Sequence, residues 1–98
     1  MYRAKYFDEV STDVQEAKEW YKEQQDGLEE KFALAVKETI IKVLKMPSAY
    51  SVRYKNIRIA HTKIFPYNIH FYIDEENEMV VFTGIIYNRK RKALHLER

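Results

Sequence analysis

The chain has 98 residues, of which 46% are hydrophobic and 33% charged, and its formal net charge is +2. This length supports one compact domain over residues 1–98 and is too short for two separate cores. Only two glycines and two prolines occur, which excludes collagen-like and low-complexity chains. The absence of cysteine excludes disulfides, thiolate nucleophiles and cysteine-based metal sites.

The amino-terminal segment alternates basic and apolar side chains, which predicts a short strand over residues 2–7. It lacks the apolar run of a secretory signal, and no apolar run of the chain is long enough to cross a bilayer. We therefore expect a cytoplasmic protein without membrane contact. Ser11, Thr12 and Asp13 are typical capping residues and predict a first helix over residues 13–25, which Asp26 and Gly27 end.

Apolar residues from Leu28 to Leu44 recur at helical spacing and predict a second helix that Pro47 stops. Beyond Pro47 the chain is rich in β-branched and aromatic residues, which predicts strands over residues 56–60, 64–74 and 79–87. Asp74 to Glu78 has turn character and joins the last two strands. The predicted fold class is α+β, in the order β-α-α-β-β-β, with an amino-terminal helical hairpin packed on an antiparallel sheet and a short basic carboxyl-terminal tail.

One face of this sheet is left open by the helices. We expect it to carry His70, Tyr72 and the basic residues of the segment from 53 to 63, because these alternate with the core set. The aromatic residues that fall at core positions are Trp20, Tyr21, Phe32, Phe71 and Phe82.

Charge is divided unevenly along the chain. Residues 1–46 carry a net charge of −2 and residues 47–98 a net charge of +4. The basic half holds two clusters, which consist of Arg53, Lys55, Arg58 and Lys63, and of Arg89, Lys90, Arg91 and Lys92. Such clusters favour a polyanionic or acidic partner, and a merely solvated surface is the alternative.

Few kinds of chemistry are open to this set of residues. The histidines, His61, His70 and His95, lack metal-ligand spacing, and two glycines exclude a phosphate-binding loop, so no metal or cofactor is expected. Arginine, lysine, histidine and tyrosine together can cleave RNA without a metal, since cations stabilise the phosphorane and a neighbour moves the proton. The same residues can bind phosphate without any reaction.

Several short motifs follow one another in a specific order. They are Ala17-Lys18-Glu19-Trp20-Tyr21, Gly27-Leu28, Phe32, Pro47, Ile57-Arg58 and Phe65-Pro66-Tyr67-Asn68-Ile69. In this order and spacing, nearly from end to end, the chain resembles the RelE/ParE superfamily of type II toxin-antitoxin toxins, often called plasmid stabilisation proteins. The resemblance is closer to the ParE branch. Where that branch often has His, Arg and Trp, this chain has Tyr87, Lys90 and His95, and the proline of the family's tail is absent.

The ParE resemblance implies a growth inhibitor that binds DNA gyrase and catalyses no reaction. The residues we expect to bind the target are Arg53, Lys55, Arg58, Arg89, Lys90, Arg91 and Lys92. The resemblance also implies a cognate antitoxin that wraps the toxin, forming a dimer or a heterotetramer with it, and places the antitoxin contact at Trp20, Tyr21 and Leu28.

Two alternatives remain open. The RelE branch implies a metal-independent endoribonuclease that cuts messenger RNA on the ribosome, for which the candidate catalytic residues are Arg58, His61, Lys63, Tyr87 and Arg91. The other alternative is a toxin remnant that binds its partner without arresting growth.

Overall fold

A computed structural model describes residues 1–88. Its elements in chain order are β1 (Arg3–Tyr6), α1 (Asp8–Gln24), α2 (Leu28–Lys45), a 3₁₀ turn (Pro47–Ala49), β2 (Val52–Tyr54), β3 (Ile57–His61), β4 (Tyr67–Asp74) and β5 (Met79–Tyr87). The predicted α+β order is confirmed, with the short strand β2 added. The basic tail, residues 89–98, lies outside the described residues.

The five strands form one sheet in the order β1-β5-β4-β3-β2. The antiparallel prediction holds from β2 to β5. β1 instead runs parallel to β5, in a register that pairs Arg3 with Met79 and Tyr6 with Phe82. No hairpin turn joins these two strands, and the intervening helices and strands provide the crossover that a parallel pair requires.

Helix α1 begins earlier than predicted. It starts at Asp8, so the expected caps Ser11, Thr12 and Asp13 lie inside it and the predicted start at residue 13 was wrong. The Phe7 N–H donates to the Phe82 carbonyl at 2.9 Å, which holds the chain against β5 directly before the helix. The carboxylates of Asp8 and Glu9 in the first turn complement the positive end of the helix dipole.

The break between the helices is confirmed at Gly27. This residue has φ of +94°, a left-handed conformation that side chains rarely adopt. α2 follows directly and ends close to Pro47, as predicted. Within residues 1–88, neither helix combines the length and the apolar character that a bilayer span needs.

Both helices cover the same face of the sheet. Ile69 and Phe71 of β4 are fully buried on that face, and His70 and Tyr72 alternate with them on the other, as predicted. A set of four rings, here called the aromatic cluster, joins the helices to the sheet and consists of Tyr21, Phe32, Phe65 and Tyr67. Their ring centroids lie 4.9 Å apart for Tyr21 and Phe65, and 5.0 Å apart for Phe32 and Tyr67.

The two glycines provide a matched test of the backbone. We expect Gly27→Ala to lower the free energy of unfolding by about 1 kcal/mol, because alanine is strained at positive φ. Space is not the reason, since no atom lies within 4 Å of the Cβ position. Gly84→Ala is the control: its Cβ would meet atoms at 3.7 Å, an ordinary contact, and its φ is not positive. Urea unfolding that shows Gly27→Ala to be no less stable than the wild type would contradict the assigned conformation.

Candidate functional site

The sheet face opposite the helices is here called the open face. Strand register brings together on it side chains that are distant in sequence. Asn68 pairs with His61 on one side and with Ile86 on the other. His70 lies two residues further along β4, on the same face. The open face thus consists mainly of Tyr54, Ile59, His61, Asn68, His70, Tyr72 and Ile86.

Two histidines of the open face are held by hydrogen bonds. The Nδ1 atom of His70 shares one with the Tyr54 hydroxyl at 2.9 Å. The Nδ1 atom of His61 donates to the Asn68 Oδ1 atom. Burial lowers the pKa of His70, so its imidazole is neutral at neutral pH and can take up a proton. The open face therefore carries a proton acceptor in a fixed position.

The strand residue Arg58 lies elsewhere than expected. We predicted it on the open face, but it pairs with Phe71 on the helix side of the sheet. The reason is the alternation of β3: Ala60 is a core residue, and Arg58, two positions earlier, shares its face. Its guanidinium donates to the Tyr50 carbonyl and is partly buried.

The residues proposed for the nuclease alternative do not converge. His61 lies on the open face, whereas Arg58 and Tyr87 lie on the helix side. Lys63 is exposed in the turn after β3, and Arg91 lies outside the described residues. Among residues 1–88, no three histidine, aspartate or glutamate side chains are close enough to share a metal ion.

Two of the basic residues expected to bind the target lie together. Arg53 and Lys55 flank Tyr54 at the turn between β2 and β3, and both are exposed. Because the Tyr54 hydroxyl reaches His70, these cations border the open face. The other expected residues, Arg89, Lys90, Arg91 and Lys92, lie outside the described residues.

A groove of about 430 Å³ lies on the helix side, between α1 and the end of β5. Trp20 lines it and is 54% exposed, so its prediction as a core residue was wrong. Tyr21 is 7% exposed and belongs to the aromatic cluster, and Leu28 is half-buried. Of the three residues expected to contact an antitoxin, Trp20 and Leu28 therefore have solvent-accessible surface.

The floor of this groove is fixed by Asp13, whose role the sequence analysis missed. Its Oδ2 atom accepts a hydrogen bond from the Ile85 N–H at 3.0 Å and so joins α1 to β5. The sequence predicts Asp13 as a helix cap, because the residue types that cap helices can equally bond a distant backbone group.

Two tyrosines of the aromatic cluster, Tyr21 and Tyr67, remain protonated at neutral pH. Burial, with smaller contributions from Tyr67 and Tyr87, raises the pKa of Tyr21 to about 12. Burial raises the pKa of Tyr67 as well, and Tyr87 and the Asp13 carboxylate act in the same direction. Tyr21 and Tyr67 are therefore neutral packing groups rather than bases.

The sequence matches no protein family and no curated protein. The fold, however, is similar to that of solved structures. A chain of the chromosomal ParDE toxin-antitoxin system from P. aeruginosa superimposes with a TM-score of 0.76 at 12% identity, covering 89% of this chain and 96% of that chain.

Two E. coli structures are also similar. The intact RelBE toxin-antitoxin complex gives a TM-score of 0.58 at 12% identity, covering 87% of this chain and 94% of that chain. The isolated RelE toxin gives 0.60 at 11% identity and covers 100% of both chains. The chain therefore has the fold of the RelE/ParE toxins, as the sequence motifs implied.

The half-buried His70 makes a testable contribution to the pH dependence of stability. Because its folded-state pKa lies below the ordinary value of 6.5, the unfolded chain takes up the proton first as pH falls. The contribution of His70 to the free energy of unfolding is therefore present above pH 6.5 and is lost as the pH falls below 6.5. We expect His70→Gln to reduce the loss of unfolding free energy between about pH 7.5 and about pH 5.5 in urea titrations.

His61→Gln is the matched control, since it removes an imidazole from the same face. If His70→Gln loses as much stability on acidification as the wild type, the burial of His70 is not what makes the fold sensitive to acid.

Proposed function

We propose that this chain is the toxin of a type II toxin-antitoxin module, which arrests growth in the cytoplasm by binding an essential target and is neutralised by a cognate antitoxin. The observation that carries the proposal is the likeness of fold to the ParDE system over 89% of the chain. The RelBE complex and the RelE toxin support it in the same way.

For the target we propose DNA gyrase, as the ParE-like motifs imply. An inhibitor needs a binding surface and no assembled active site, which agrees with the separation of Arg58 and Tyr87 from His61 by the sheet. The cations we assign to target binding are Arg53 and Lys55 at the border of the open face, together with the tail residues Arg89 to Lys92. Arg58 is held by the Tyr50 carbonyl and has a structural role in this proposal.

The proposed antitoxin contacts the surface around Trp20 and Leu28. The Trp20 ring stands edge-on against Tyr21, with centroids 5.1 Å apart, so a core residue orients an exposed one. A large aromatic ring that is rigidly supported and half exposed is typical of residues that anchor a protein partner. Burying the ring also removes apolar surface from water, which favours the complex. The proposed assembly is a dimer or a heterotetramer with this partner.

A second candidate is the ribosome-dependent endoribonuclease. The observation that favours it is the pair of fixed histidines on the open face, where neutral His70 is bonded to Tyr54 and His61 to Asn68. A neutral imidazole can accept the proton of an attacking ribose hydroxyl, and nearby cations can stabilise the phosphorane. In this case His70 and Tyr54 replace Tyr87 as the proton-handling groups.

The binding proposal predicts which charges toxicity needs. When expression is induced, the wild-type chain should arrest growth, and the double variants Arg53→Glu/Lys55→Glu and Arg89→Glu/Arg91→Glu should not. Charge reversal opposes binding to a negatively charged surface. Arg53 and Lys55 are exposed, and substitutions at exposed positions change stability by only about 0.5 kcal/mol. Thermal unfolding of the purified Arg53→Glu/Lys55→Glu variant should therefore stay close to that of the wild type.

The control variant Lys37→Glu/Lys42→Glu makes the same charge change on the exposed surface of α2, away from the residues assigned to target binding. It should still arrest growth. Growth arrest by both Arg53→Glu/Lys55→Glu and Arg89→Glu/Arg91→Glu would overturn the assignment of the target-binding residues. A wild-type chain that leaves growth unchanged would instead contradict the toxin proposal and favour a remnant that only binds its partner.

A further inference from the structure

Strand register brings two histidines of the open face close together. His61 pairs with Asn68 and Ile59 pairs with His70, so His61 and His70 are diagonal neighbours on adjacent strands and share one face. The Cα atoms of such neighbours lie about 7–8 Å apart, close to the spacing of residues i and i+2 on a single strand. The linear spacing of the histidines does not reveal this pair, because strand pairing creates it.

Both imidazole rings are oriented through the same ring nitrogen. The Nδ1 atom of His61 donates to the Asn68 Oδ1 atom. An amide oxygen only accepts hydrogen bonds, so the proton lies on Nδ1 and the Nε2 atom of His61 keeps its lone pair. The Nδ1 atom of His70 bonds the Tyr54 hydroxyl at 2.9 Å, and a hydroxyl oxygen can accept in the same way. Each ring can therefore present the Nε2 lone pair to a ligand.

Histidines that bind metal ions in proteins are held in this manner. A ligating imidazole usually donates its other ring N–H to an oxygen atom, which fixes the tautomer and the direction of the ring. Imidazole nitrogen suits Zn²⁺, Cu²⁺ and Ni²⁺, whereas Mg²⁺ and Ca²⁺ prefer oxygen ligands. Among residues 1–88 no third histidine, aspartate or glutamate completes the pair, so water fills the remaining positions of a bound ion.

We propose that His61 and His70 together bind a divalent ion of zinc, copper or nickel through their Nε2 atoms. The ion lies on the open face, about 2 Å from each nitrogen. Asn68 and Tyr54 are positioning residues, because they hold the rings through Nδ1. Two ligands on one sheet, each oriented in advance, bind an ion without first being ordered. The proposal requires neither toxicity nor a particular target of the chain.

The test is isothermal titration calorimetry of the untagged full chain with Zn²⁺ alone at neutral pH. We expect saturable binding of Zn²⁺, tighter binding of Cu²⁺ and no binding of Mg²⁺. His61→Gln and His70→Gln should each weaken Zn²⁺ binding by at least about ten-fold, because a single imidazole cannot chelate. His95→Gln is the matched control and should leave the affinity unchanged. Weaker binding by His95→Gln, or unchanged binding by either of the other variants, would overturn the proposal.

Variants of the two positioning residues test how the rings are held. Asn68→Ala and Tyr54→Phe each remove the oxygen beside one Nδ1 atom and should weaken Zn²⁺ binding by about ten-fold. Asn68→Asp should retain the wild-type affinity or exceed it, since a carboxylate also accepts a hydrogen bond from Nδ1. Equal weakening by Asn68→Ala and Asn68→Asp would contradict the positioning role of Asn68.

Two further measurements separate metal binding from folding. Zn²⁺ should raise the midpoint of thermal unfolding of the wild type and of His95→Gln, but not that of His61→Gln/His70→Gln, because an ion stabilises only a chain that binds it. Long-range ¹H–¹⁵N NMR of the wild type should show that Zn²⁺ shifts the Nε2 resonances of both His61 and His70. This second measurement does not depend on the folding of any variant. Coordination through Nδ1, or through only one of the two rings, would overturn the proposal.

Discussion

The packing of the aromatic cluster positions most of the features described for this protein. Tyr21 comes from α1, Phe32 from α2, Phe65 from the β3–β4 turn and Tyr67 from β4, so one group of rings joins both helices to the sheet. Because such rings interlock at fixed distances, their packing sets the angle of the helical hairpin. It also places Trp20, next to Tyr21, at the surface, and Ile64, next to Phe65, on the exposed side of its turn.

The same cluster explains why much of the fold was predictable from the sequence. Its residues belong to the short motifs on which the family resemblance depended, and the alternation of Ile69 and Phe71 with His70 and Tyr72 identified the two faces of β4. The start of α1 and the direction of β1 could not be predicted from the sequence. Both depend on contacts with β5, more than 70 residues away, such as the Arg3–Met79 pair, and local patterns carry no signal for them.

The candidate site was predicted less completely than the fold. Basic residues at the β2–β3 turn were identified from their charge. The side of the sheet on which Arg58 lies could not be identified in this way, because it depends on the register of β3 with β4. The bond between Tyr54 and His70 joins residues 16 positions apart and follows only from the pairing of three strands. Trp20 and Tyr21 are adjacent in a helix, where successive side chains point about 100° apart, and spacing alone did not decide which one is buried.

We propose that this chain arrests growth by binding gyrase rather than by cutting RNA. The most direct test is a gyrase supercoiling assay with the purified chain, run beside primer extension on a messenger RNA translated in a purified system. We predict inhibited supercoiling and an intact message. Cleavage of the message in codon register, with supercoiling unaffected, would contradict the account and assign the open face to RNA cleavage.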